Sequence, residues 1–133
     1  MHSVVRCWII ASEGDYEMRY MCLVIIDKSM ADSMTPVDWT IMNENSQSYD
    51  RELKERGVYV HAEALMGPDT ARTVRVRADN ISITDGPFTE SKELVGGFIL
   101  IDVADESAAM DVAQNIPMAR LGAVEVRPVM AFS

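Results

Sequence analysis

Tyr20 to Ile26 is apolar on both of its alternating faces, with Tyr20, Cys22, Val24 and Ile26 on one and Met21, Leu23 and Ile25 on the other. Successive side chains of a strand point to opposite faces, so a strand of this kind has to be covered twice. Phe98 to Ile101 is again apolar on both faces. The remainder of the chain offers two helical patterns, and two helices cover only one face of such a sheet. The other face needs a further layer, most simply a second copy of the chain, so a homodimer is expected from pattern alone.

Around these strands the chain reads in order. Asp27 to Ser33 is expected as a loop leading to Thr35-Pro36-Val37-Asp38, a compact helix start with Thr35 as N-cap, Pro36 at the first helical position and Asp38 at the third. Trp39, Met42, Ser46, Tyr49 and Leu53 follow at three- and four-residue steps, an amphipathic stripe with a gap at Ser46. Lys54 and Arg56 suit the C-terminal dipole, and Gly57 ends the helix. Val58 to Leu65 is a second strand. Gly67-Pro68-Asp69 breaks it, and Thr73 to Arg77 and Ile81 to Thr84 form a hairpin about an Asp79-Asn80 turn, with one wet face. Leu94 to Val103 is the next strand, where Gly96-Gly97 allows a neighbouring chain or a ligand close to the backbone. Asp105 caps a second helix that buries Ala109, Val112, Ala113 and Ile116 and stops at Pro117, and Ala123 to Val129 is the last strand.

Strand, helix, strand, hairpin, strand, helix, strand is a ferredoxin-like α+β plan: an antiparallel sheet with two helices on one face, plus an extra β-hairpin. At 133 residues this is one domain. Residues 1–17 read as an N-terminal extension ahead of a domain at 18–133. Its apolar patch from Val4 to Ile10 is set apart by the polar break Ser12-Glu13-Gly14-Asp15, and is either a tail or an added edge strand.

A net charge of −9 argues against direct binding to nucleic acid, since a duplex would repel that surface. Arg72, Arg75 and Arg77 cluster, but at strand periodicity they form the wet face of the hairpin. Cys7 and Cys22 are too few for a disulfide framework or a metal site. No apolar run approaches the roughly 18 residues of a membrane span, and Val4 to Ala11 lacks the charged flank of a signal peptide. No membrane partner, metal or other cofactor is expected, and the expected compartment is the cytoplasm.

The corner Asp85-Gly86-Pro87-Phe88 is the candidate site. Gly takes φ values that other residues avoid and Pro locks its own, so the backbone turns sharply here. Phe88 is placed to plug the turn into the core. Asp85 either caps the turn or presents a carboxylate to a pocket mouth. Glu63 stands between Ala62 and Ala64 at a strand end, an odd position for a charge unless it faces a partner or a cleft; with Asp85 it would form a carboxylate pair. Arg127 either steadies an anionic ligand or pairs across the sheet. His61 reads as a surface or satisfied strand residue, and Glu90, Lys92 and Glu93 as a solvated rim.

Several short motifs occur in a fixed order: Met18 to Met21, Ala62 to Leu65, Thr73 to Arg75, Thr84-Asp85-Gly86-Pro87-Phe88, Glu90 to Glu93, Gly96-Gly97-Phe98 and Val124 to Val129. Together they resemble the YCII-related proteins, specifically the branch named for its Asp-Gly-Pro-Phe motif, over about Met18 to Val129. The resemblance implies a dimeric α+β barrel and an indirect link to transcription components, since some such proteins occur beside or joined to extracytoplasmic-function sigma factors. YCII relatives proper carry a His–Asp pair proposed as catalytic, with the His near the first helix. This chain has no His between Asp27 and Arg56, and His61 is on the second strand. Two functions follow. One is a small-molecule-binding or regulatory dimer; the other is a small metal-independent enzyme of lyase, isomerase or oxygenase type that uses carboxylates in a pocket of the dimer.

Overall fold

The computed structural model describes residues 18–88 and 91–131. The extension expected over residues 1–17, with Cys7, and the rim residue Glu90 lie outside them.

Four strands form one antiparallel sheet in the order β2 (Tyr59–Ala64), β5 (Glu93–Val103), β1 (Met18–Asp27), β6 (Gly122–Pro128). Two long-range helices, α2 (Pro36–Glu55) and α3 (Glu106–Gln114), cover one face of it. The α+β plan is therefore ferredoxin-like, with the strand carrying two apolar faces, β1, in an inner position between β5 and β6. Tyr20, Cys22, Val24, Ile99, Ile101 and Val103 are buried under Tyr49 and Leu53 of α2 and under Ala109, Val112, Ala113 and Ile116 from α3 and its end. Cys22 is a buried hydrophobe, as its sequence context indicates, and burial pushes its thiol up to about 11. Among the described residues no helix is long and apolar enough to cross a membrane.

The helix starts form as their residues dictate. Thr35 Oγ1 accepts from the Asp38 N–H at 3.1 Å while Asp38 Oδ2 accepts from the Thr35 N–H at 2.9 Å, a reciprocal box that satisfies two otherwise unpaired donors. Those contacts hold the Asp38 carboxyl below its ordinary range. Asp105 Oδ1 accepts from the Ala108 N–H at 2.9 Å and starts α3. The tyrosine of the α2 stripe ties the helices together, Tyr49 donating its phenol proton to the Val112 carbonyl at 2.8 Å.

Two local readings need correction. The segment expected as a loop after β1 contains a short helix, α1 (Lys28–Asp32), because Asp27 Oδ1 accepts from the Met30 N–H at 3.1 Å and acts as its cap. The hairpin β3 (Arg72–Arg77) and β4 (Asn80–Asp85) turns at Ala78-Asp79, both at positive φ, with Asn80 already paired to Arg77. Two bulges also interrupt the ladders, one where β1 meets β5 at Val24/Ile25 and one where β2 meets β5 between Tyr59 and His61.

Among the described residues no element covers the opposite sheet face. Met21, Leu23, Phe98 and Leu100 make its half-exposed apolar centre, in register across β1 and β5. Polar pairs flank that centre: His61 Nε2 lies 2.9 Å from Glu63 Oε2 on β2, and Arg127 Nε 3.2 Å from Glu125 Oε2 on β6. The hairpin forms a separate two-stranded sheet, and the paired aliphatic residues Val74–Ile83 and Val76–Ile81 on one of its faces are all exposed.

Candidate functional site

A cavity of about 190 Å³ opens between α2 and the β2–β5 edge of the sheet. Val24, Ala62, Ile99, Ile116, Pro117 and Met118 give it an apolar wall. Its polar groups come mainly from one face of α2. Asn43, Ser46 and Asp50 are three and four residues apart and so stack along the helix toward the sheet, next to the buried Tyr49. Apolar clefts with a few convergent polar groups are the usual form of small-molecule sites.

Two features of that polar stripe are unusual for a core-facing helix. The Ser46 hydroxyl is buried and has no hydrogen-bond partner among the described residues. A buried hydroxyl without a partner is uncommon, because its desolvation goes uncompensated. Burial also pushes the Asp50 carboxyl above its ordinary value, and the Lys54 ammonium one turn later draws it partly back. Lys54 itself sits over the Tyr59 ring, 4.8 Å from its centroid.

The floor of the cavity is set by the two glycines. At Gly97 a Cβ would press on the backbone of Glu63 and Ala64, and at Gly96 it would collide with the side chain of Ile26. The close neighbours expected at Gly96-Gly97 are thus β2 and β1, and the same two residues line the cavity. The β1–β5 bulge falls here as well, since Val24 pairs with Gly97 and Ile25 with Val95. Bulges bend the strand and redirect side chains, and they recur beside functional sites.

The residues singled out in the sequence fall in three places. Glu63 reaches the cavity lining by its backbone, next to Gly97, while its carboxylate pairs with His61 on the open sheet face. Asp85, Gly86, Pro87 and Phe88 lie at the base of the hairpin. Gly86 has φ +100°, donates its N–H to the Ala71 carbonyl and accepts from Thr73 Oγ1, each at 2.8 Å, so the sharp corner exists as expected. Asp85 is exposed and pairs with Arg72 across the hairpin at 3.4 Å. Phe88 is 70% exposed, so it is not a plug in the core of the single chain; its ring lies 5.2 Å from the Arg75 guanidinium carbon and borders a second, shallow hollow with Leu65, Met66, Leu94 and Val95. Arg127 is on β6, at the sheet edge opposite Glu63 on β2, about 14 Å away at strand spacing. The corner, Glu63 and Arg127 therefore do not converge.

Asn43, Ser46 and Asp50 carry the polar chemistry of the cavity and were not singled out as a site. The one signal for them was the gap at Ser46 in the apolar stripe of α2. Among the described residues no three His, Cys, Asp or Glu side chains gather in a way that could hold a metal ion.

Comparison with known proteins agrees with this architecture. An uncharacterised protein of Rhizobium meliloti (strain 1021) is 30% identical over 117 residues, covering 86% of this chain and 94% of that protein. The family model described as the YCII-related domain matches residues 18–133, from the first residue of β1 through the end of the chain. The chain belongs to the YCII-related family.

Proposed function

We propose that the protein is a homodimeric small-molecule-binding protein whose ligand occupies the cavity between α2 and the β2–β5 edge in each protomer. The observation that carries the reading is the buried Ser46 hydroxyl, which lines that cavity and has no partner among the described residues. A ligand that hydrogen-bonds it would remove a desolvation cost that the free protein bears. The dimer is supported by apolar surface left open in two places, the centre of the sheet around Leu23 and Phe98 and the aliphatic face of the hairpin. A hairpin of two strands is marginal without cover for its apolar face, and patches of this kind mark interaction surfaces. A regulatory role beside transcription components rests on the family resemblance alone.

A thermal-shift screen of a fragment library tests the binding. Fragments that raise the Tm of the protein should lose that effect in Ala62→Trp, which fills the cavity from its β2 wall. A library without stabilising fragments, or hits that survive Ala62→Trp, would place binding elsewhere.

A second reading, a metal-independent enzyme, is favoured by Asp50. A partly buried carboxyl beside a ligand cavity, with its proton affinity raised by burial, is a candidate for proton transfer. It would act on the same ligand in the same cavity, and turnover of a stabilising fragment, lost in Asp50→Asn, would distinguish it from binding alone.

A further inference from the structure

We infer that the cavity takes a small primary amine carried on an apolar ring or short chain, its ammonium group held by Asp50 and Ser46; this rests on the reading of the cavity as a ligand site. The charge of the lining excludes the opposite class. Asp50 is there, and no Lys, Arg or His is among the described lining residues. A phosphate or carboxylate entering this space would meet acceptors and no cation, and an unpaired anion taken out of water is costly.

Partner accounting within the site points the same way. The Glu63 carboxylate is on the other sheet face, with His61 at 2.9 Å. Asp50 has no hydrogen bond or ion pair within 4 Å among the described residues, and Lys54, the cation that acts on it, is committed to the face of Tyr59. Ser46, one turn earlier on the same helix face, has a hydroxyl that can accept from the same ammonium. An ammonium brings three donors, which fits one carboxylate and one hydroxyl at adjacent turns. Among the described residues neither group is offered that.

Size and wall chemistry set the rest of the molecule. An apolar cavity of about 150 Å³ is enough to hold benzene, and this one is about 190 Å³. A single ring with a one- or two-atom amine arm fits that space. Tyr49 in the wall gives aromatic surface on which a cation near the ring face is further favoured.

Calorimetric titration of the purified protein with benzylamine, benzyl alcohol and benzoate decides the matter, because the three share a ring and differ in the head group. Benzylamine should bind at least about tenfold more tightly than benzyl alcohol, with no detectable heat from benzoate. In Asp50→Asn, amine and alcohol should come within about threefold of each other, and Ser46→Ala should weaken the amine without removing the preference. Equal affinity for amine and alcohol in the unaltered protein, binding of benzoate, or an amine preference that survives Asp50→Asn would overturn the assignment while leaving a ligand site in place. Failure of all three compounds to bind would overturn both the assignment and the reading of the cavity on which it rests.

Discussion

The carbonyl oxygen of Glu63 occupies the place that a side chain on Gly97 would need: a Cβ there would stand 2.6 Å from that oxygen and 3.2 Å from the Ala64 Cα. Both contacts are backbone, and backbone in a hydrogen-bonded ladder yields little. β2 can lie this close to β5 only because residue 97 is glycine, and that closeness defines the cavity mouth. Gly97→Ala should therefore destabilise the chain by about 1–3 kcal/mol, as overpacking does, measured by urea unfolding. Fragment binding in the cavity should fall with it. Unchanged stability would mean that β2 separates from β5 without cost.

Phe88 gives the sharpest test of the corner. In the single chain its ring is mostly open to solvent, with Arg75 above it. Truncation of an exposed side chain shifts stability by about 0.5 kcal/mol or less, whereas truncation of a core aromatic costs about 3–5 kcal/mol. Phe88→Ala should give the small value when unfolding is measured at protein concentrations low enough to keep the chain monomeric. A loss of about 3 kcal/mol or more that appears only at high concentration would show that the second copy buries the ring.

Much of the architecture was legible because it depends on local signals. Alternation in Tyr20 to Ile26, the Thr35-Pro36-Val37-Asp38 cap and the Asp105 cap are each complete within a few residues, and the structure forms all three. Gly86 was legible for the same reason, since a glycine ahead of a φ-locked proline permits the positive φ that a sharp corner uses. The site was not local. The polar face of the cavity spans Asn43 to Asp50, and its floor comes from Gly96 and Gly97 almost fifty residues on, joined only by how α2 lies on the sheet. A polar gap at Ser46 can be read from the sequence, but not what fills the space opposite it. The corner misled in the other direction. Its conformational demands are architectural, and Phe88 follows the chain out onto the hairpin base rather than into the core. The two bulges were invisible because each depends on which residue of a partner strand is skipped.

Leu23 tests the second copy. It stands at the centre of the open sheet face, paired with Phe98 on one side and Glu125 on the other. Leu23→Asp would bury an unpaired carboxylate in any interface on that face, at a cost of several kcal/mol. Light scattering should show a dimer for the unaltered protein at micromolar concentration and a Kd raised at least about a hundredfold in the variant. Circular dichroism should be unchanged, because the helix-covered face is untouched. A protein that is monomeric before the substitution, or dimeric after it, would rule out this face as the interface.

Asp50 links the site to the stability of the fold through its proton. Burial raises its carboxyl above the ordinary value of 3.8, and Lys54 only partly offsets this. A raised folded-state pKa means that the folded protein holds the proton more tightly than the unfolded chain does. The resulting stabilisation is fully present below the unfolded value and is lost as pH rises through the folded one. At pH 7 the protein thus carries a partly desolvated charge without a close partner, and solvent reaching the exposed part of the carboxylate limits its cost. Asp50→Asn removes that charge while keeping the shape. It should raise the Tm at pH 7 and give no advantage near pH 3, where Asp50 is protonated in both states. Benzylamine should narrow the gap at pH 7 by stabilising only the unaltered protein, since a ligand bound to the folded state adds to its stability. A substitution that lowers Tm equally at both pH values would mean that Asp50 holds the helix in place and bears no uncompensated charge. Such a cost, retained in the free protein and relieved by a ligand, is the ordinary trade between stability and function at a binding site.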